Sequence, residues 1–351
     1  MQNTVSRPAL VLSLALSLAL SINHALAVPA IFVLGRDYSF PNKIEGLPGK
    51  LSDFKGLQVN SFTSNDGVKL SYWEAGEGRP LVFIPGWSAN GAEYINVMYL
   101  LSKHYHVYVL DPRNQGLSQR VEYGSRVSRL SMDLKELSDH LGLEKADYCG
   151  WSMGASVLWG YIDLFGTKGI RKAIFVDEPI SIYSHADWSE LERRDAGGTT
   201  TSPERMVAGF TVGAPVNSLI TDMKPIERAM MKDSPAFVNS KSFANEFIKN
   251  DPVALARVLF DHATNDWRDV VRYKINVPAA IFSGEESNNL PSQRWAQSVI
   301  PNAARATRRS FSNVQESVQI HGGPSIVFRQ VAVGATLCAR CRPLGHQIRP
   351  E

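Results

Sequence analysis

Apolar residues in this chain fall in short continuous runs bounded by turn-forming residues. Pro80-Leu81-Val82-Phe83-Ile84, His106-Val107-Tyr108-Val109-Leu110, Ala146-Asp147-Tyr148-Cys149, Lys172-Ala173-Ile174-Phe175-Val176-Asp177 and Pro278-Ala279-Ala280-Ile281-Phe282-Ser283-Gly284 are the five clearest. Runs of this length read as strands buried on both faces. Between the second and third the period changes. Leu130, Leu134, Leu137 and Leu141 recur at three- and four-residue spacing, which marks an amphipathic helix. Strands alternating with helices predict an α/β fold, a mostly parallel central sheet with helices on both faces.

The third run leads into Gly150-Trp151-Ser152-Met153-Gly154, followed by the helical pattern of Ala155-Ser156-Val157-Leu158-Trp159. Small residues on both sides of a serine, between a strand and a helix, permit a turn tight enough to expose the serine oxygen. Such a pentapeptide arises by chance in about one chain in ten, so its neighbours must carry the inference. Upstream, the first run opens into Pro85-Gly86-Trp87-Ser88-Ala89-Asn90-Gly91, and the second into Asp111-Pro112-Arg113-Asn114-Gln115-Gly116-Leu117-Ser118. In this order the loops resemble the α/β-hydrolase superfamily, in its capped serine esterase or lipase-like form, from about residue 57 to 302.

That resemblance implies Ser152 as nucleophile and the backbone N–H groups of Met153 and Trp87 as the oxyanion hole. It makes the Asp111–Ser118 turn a scaffold, with Asn114 where relatives carry Gly; Asn tolerates positive φ better than other side chains. It also implies an acid and then a histidine further along the chain. The commoner acid position, three residues past Gly284, holds Ser287, which has no carboxylate. Glu286 lies one residue earlier, and is otherwise a solvated loop charge. The second position used in the superfamily is the carboxylate ending the strand before the insertion, Asp177, which could instead cap the segment that follows. Asp177 is preferred and Glu286 stays open. Only His321 and His346 follow both acids; His321, in Ile320-His321-Gly322-Gly323-Pro324, has the glycine-rich context expected of the base, against the plain alternative of a surface histidine. His185 and His262 are expected to line or pack the insertion.

With 351 residues, 44% of them hydrophobic, the chain is long enough for one large α/β domain with an insertion. A net charge of +3 and the lack of a basic run interleaved with aromatics point away from nucleic acid. No cofactor or metal is implied. Arg7, the apolar stretch Ala9–Leu20 and Ala25-Leu26-Ala27 read as a secretory signal peptide over residues 1–27, so a secreted or periplasmic location with no stable membrane span after cleavage is expected; an uncleaved anchor is the alternative. Cys149 reads as a small buried hydrophobe, and no role is assigned to Cys338 or Cys341. Residues 28–179 and 273–302 are expected to form the core, and residues 180–272 a helical cap. From Asn302 to Glu351 there is neither Lys nor Asp, Arg recurs, and no closing amphipathic helix is legible. Residues 303–351 therefore read as an atypical tail of the kind a shifted reading frame would produce, which resequencing the coding DNA would decide.

The functional expectation is cleavage of a small-molecule carboxylic ester, or a lactone or amide, through an acyl-enzyme on Ser152. Cofactor-free perhydrolase or haloperoxidase-like activity would use the same residues, and a catalytically impaired binding protein is the non-enzymatic alternative. Dehalogenases and epoxide hydrolases on this scaffold need a carboxylate nucleophile, against which Ser152 argues.

Overall fold

The computed structural model describes residues 28–196, 204, 239, 242–246, 250–284, 287, 289–301, 303–308, 317–318 and 326–327. Nine strands form one sheet: β1 Val28–Pro29, β2 Gln58–Thr63, β3 Lys69–Ala75, β4 Arg79–Ile84, β5 Tyr105–Leu110, β6 Ala146–Trp151, β7 Ile170–Val176, β8 Ala279–Gly284 and β9 Ala303–Arg308. Their order across the sheet is β1-β2-β3-β5-β4-β6-β7-β8-β9. The six strands from β5 to β9 in that order are parallel, and β1, β2 and β3 add an antiparallel margin. The helices are α1 Ala30–Leu34, α2 Ile95–Leu101, α3 Val127–His140, α4 Met153–Phe165, α5 Glu190–Asp195, α6 Pro252–Ala263, α7 Arg268–Tyr273 and α8 Leu290–Val299.

The continuous apolar runs are explained by cover on both faces. Along β4, Val82 and Ile84 join the layer that contains Leu130 and Leu134 of α3 and Leu158 of α4. Leu81 and Phe83 point the other way, into the layer with Ile95, Met98 and Leu101 of α2. Both sets are buried, so the strand carries no polar face. Leu130, Leu134 and Leu137 face the core, and Leu141 caps the end of α3, half-buried against the same cluster.

The chain leaves β4 toward β5 on one side and returns through β6 on the other, so β4 and β6 are adjacent where the strand order reverses. In open α/β sheets the loops diverge at such a reversal, and ligands bind in the crevice beyond the carboxyl ends of the strands. Asp111, fully buried after β5, holds that edge together. It accepts hydrogen bonds from Gly91 N (2.6 Å), Leu117 N (2.8 Å) and the Trp73 indole (3.1 Å). Burial outweighs these donors and pushes its carboxyl up to about 6. Asn114, in the turn it organises, has φ +68°, as its place in the sequence leads one to expect.

The sheet runs past residue 302, where the sequence pattern led us to end the core. Residues 303–308 pair in parallel with β8, from Ala279 opposite Ala303 to Gly284 opposite Arg308. A ladder of main-chain hydrogen bonds is indifferent to the alternation that side chains would show, so the composition change does not mark the edge of the sheet. No helix among the described residues is long and apolar enough to cross a membrane.

A Cβ on Gly91 would lie 1.9 Å from the buried Trp73 ring. Gly91→Ala is therefore expected to lower stability by about 1–3 kcal/mol through overpacking. Urea unfolding would show a lower midpoint at unchanged slope; an unchanged midpoint would contradict the packing described.

Candidate functional site

Ser152 stands between the last residue of β6 and the first of α4, with φ +51° and ψ −133°. A non-glycine residue held there stores about 1–3 kcal/mol of backbone strain, so its surroundings must over-determine it. They do so with close backbone approach. A Cβ on Gly154 would lie 2.1 Å from Ile84 O, one on Gly150 would lie 2.4 Å from Gly154 O, and one on Gly86 would lie 3.1 Å from the Ser152 Cβ. Ser152 N donates to Val176 O at 2.8 Å, and Ala155 N to Ser152 O at 2.7 Å. Ser152 itself is half-buried, so its hydroxyl is not sealed inside the core.

Met153 opens α4, and its N–H is among those that a helix start leaves without an intrahelical partner. The Gly86 contact brings the loop carrying Trp87 against Ser152 from the β4 side. Met153 and Gly86, the residue before Trp87, thus adjoin the serine, near the positive end of the α4 dipole. Trp87 is half-buried, and its indole donates to Leu255 O of α6 at 2.9 Å. Ser88 follows with φ +62° and is held by Asn250, whose amide donates to Ser88 O and Oγ, each at 3.1 Å.

Trp151 and Val176 are paired across β6 and β7, so Ser152 and Asp177 leave neighbouring strands side by side. Asp177 has φ +48°, and its N–H donates to Phe282 O at 2.8 Å. Its Oδ1 accepts the Ser287 hydroxyl at 2.6 Å and that of Ser283 at 3.5 Å, while Asn289 Nδ2 donates to its backbone oxygen at 3.2 Å. Burial pushes the Asp177 carboxyl up to about 6; the two hydroxyls oppose this and the Glu178 charge adds to it.

Glu286, His321 and His346 lie outside the described residues. Other histidines are engaged elsewhere: His106 beside Glu74, His140 stacked on Phe62, His185 stacked on Trp188. His262 packs the insertion as expected, but with a partner that went unnoticed in the sequence. Its Nε2 lies 3.0 Å from Glu178 Oε1, and both side chains are buried. Ser156 Oγ is 3.4 Å from the same oxygen, and Gln293 donates to the Glu178 carbonyl. The sequence holds no local signal for this cluster, because its members lie far apart along the chain. Among the described residues no group of three His, Cys, Asp or Glu side chains could hold a metal ion.

A family model described as the alpha/beta hydrolase fold matches residues 79–219. The structure overlays an esterase from Exiguobacterium antarcticum with a TM-score of 0.57, covering 71% of this chain and 90% of that one at 18% identity. The chain has the α/β-hydrolase fold. Among relatives, the chain is 28% identical over 115 residues to a non-heme haloperoxidase from Rhodococcus erythropolis, covering 32% of the chain and 42% of the relative. A protein of Synechocystis sp. that carries a non-heme chloroperoxidase name is 26% identical over 283 residues, covering 77% of the chain and 91% of the relative. Other relatives, including a soluble epoxide hydrolase from Corynebacterium sp., are spanned over less than half their length, as the Rhodococcus protein is.

Because the Asp177 carboxyl sits above its unfolded value, the folded protein keeps a proton that the unfolded chain releases as pH rises from about 4 to about 6. The stability that Asp177 contributes falls across that window. Asp177→Asn cannot titrate and is expected to gain on the natural protein as pH rises, by up to about 3 kcal/mol at about 1.4 kcal/mol per pH unit. Urea unfolding on both sides of the window measures the gap; a gap that does not change with pH would contradict the burial assigned to Asp177.

Proposed function

We propose that this α/β-hydrolase cleaves a carboxylic ester, or a lactone or amide, through an acyl-enzyme on Ser152. The observation that carries the reading is the strained turn at Ser152, with Gly86 and Met153 on either side of it. In this scheme the Ser152 hydroxyl attacks the substrate carbonyl and passes its proton to an imidazole, for which His321 is the candidate. The negative oxygen so formed is met by the N–H groups of Met153 and Trp87. Asp177, on the strand next to Ser152, orients the imidazole and stabilises its charge. The imidazole then protonates the leaving alcohol, and water attacks the acyl group to restore Ser152.

Residues 180–272 are proposed as a cap over this crevice. Support comes from α6, whose Leu255 carbonyl holds the Trp87 ring, and from the helical character of the described residues between β7 and β8. Residues 1–27 are proposed as a cleaved export signal on the strength of Arg7, the Ala9–Leu20 stretch and Ala25-Leu26-Ala27. The names of the haloperoxidase relatives favour a second reading, in which peroxide replaces water as the acceptor of the acyl group on the same Ser152. Epoxide opening by a carboxylate nucleophile is disfavoured because position 152 is serine.

Treatment with a fluorophosphonate is expected to add one adduct by intact mass, mapped to the peptide containing Ser152. Ser152→Ala should abolish the adduct and lower kcat/KM on p-nitrophenyl esters by at least about a thousandfold. A folded protein that stays unlabelled would overturn the acyl-enzyme and favour the binding-protein alternative.

A further inference from the structure

The position that lacks a carboxylate in this chain is not idle. Ser287 lies three residues past the end of β8 and reaches back to the end of β7. Its hydroxyl sits 2.6 Å from Asp177 Oδ1 and also accepts the N–H of Asn289 at 3.1 Å. The short turn that presents it is closed by Ser287 N to Gly284 O (3.3 Å) and by Leu290 N to Ser287 O (3.1 Å). Asn289 adds a second tie to Asp177 through the backbone oxygen of that residue. Asp177 needs such ties: it is a non-glycine residue at φ +48°, partly buried, and beside the like charge of Glu178.

We infer that Ser287 is a positioning residue for the acid of the site, fixing the Asp177 carboxylate through Oδ1 so that Oδ2 is presented to an imidazole. The inference rests on the reading of Ser152 and Asp177 given above. Both hydroxyl contacts, from Ser287 and Ser283, fall on Oδ1, and the carboxylate can only accept. A hydroxyl in that place favours the charged form of the carboxyl against burial, which disfavours it. The 2.6 Å separation has a further consequence. A carboxylate at position 287, with position 177 made neutral, reaches the volume that the Asp177 carboxylate occupies, so the acid is transferable between the two strand ends.

The test uses the full chain and p-nitrophenyl ester turnover across pH. Ser287→Ala removes the donor to Asp177, so the acid limb of kcat/KM is expected to move up by about one pH unit, with KM little changed. Ser287→Thr keeps the hydroxyl and should keep the natural limb, which a loss of turn stability alone would not produce. Asp177→Asn should lose most of kcat, and the double variant Asp177→Asn with Ser287→Asp should regain at least about tenfold over it, on the ordinary scale of a single positioned group. An unmoved acid limb in Ser287→Ala, or a double variant no better than Asp177→Asn, overturns the inference. If the natural protein is neither labelled at Ser152 nor active, the reading beneath it fails and takes the inference with it. A labelled, active protein indifferent to position 287 removes the inference alone.

Discussion

The close approach of α4 to the carboxyl end of β4 is the constraint on which the site depends. At Gly154 there is no room for a single methyl group beside Ile84 O, and at Gly150 none beside Gly154 O. Glycine is permitted where backbones meet this closely, and nothing larger is. Because α4 can lie this near, its first turn begins directly at Ser152, and the chain reverses in one residue from strand to helix. The strain at Ser152 is held by the parallel ladder on either side, through the Ser152 N–H to Val176 O bond and the β4–β6 pairing. The rigid sheet, not the loop, sets where the hydroxyl stands.

Around that turn the molecule uses long-range ties. Asn250 and α6 tie the turns on both sides of Ser152: Asn250 grips the turn at Ser88, Leu255 receives the Trp87 indole, and His262 reaches Glu178 beside Asp177. A buried contact between imidazole and carboxyl is weak evidence for added stability, since desolvation offsets most of the attraction, but removing one partner leaves an uncompensated polar group. Its physical effect here is to fix register. It ties α6 to the residues that follow β7. Asp177 and Glu178 thus divide two tasks between adjacent residues, one facing Ser287 and the other facing His262.

Much of this was legible in the sequence because it is local. The buried strands announce themselves as apolar runs, the helix by leucine spacing, and the turn at Ser152 by its glycines. Asn114 at positive φ followed from its place in the turn that resembles the family's, where relatives carry Gly. The antiparallel margin was less legible. Along β2 (Gln58–Thr63) burial does not alternate cleanly, with Ser61 and Asn60 both half-buried, so no period-two signal forms. Residues 303–308 carry arginines and no core pattern, yet the main chain pairs as a strand. The contact at the end of β7 was half legible: Asp177 stood out as the carboxylate ending a strand, while Ser287 looked only like a gap. Its contact with Asp177 joins residues 110 positions apart, a separation no spacing rule spans. The Glu178–His262 pair escaped for the same reason.

The central claim is that Ser152 is presented by a contact only glycine allows, and Gly154→Ala tests it most directly. Helix propensity alone would favour alanine at this position by up to about 1 kcal/mol. The measurement is the second-order rate constant for phosphonylation of Ser152 in the folded variant. The account predicts a fall of at least about tenfold, in keeping with the sensitivity of reacting groups to displacements near 1 Å. A rate equal to that of the natural protein would contradict it.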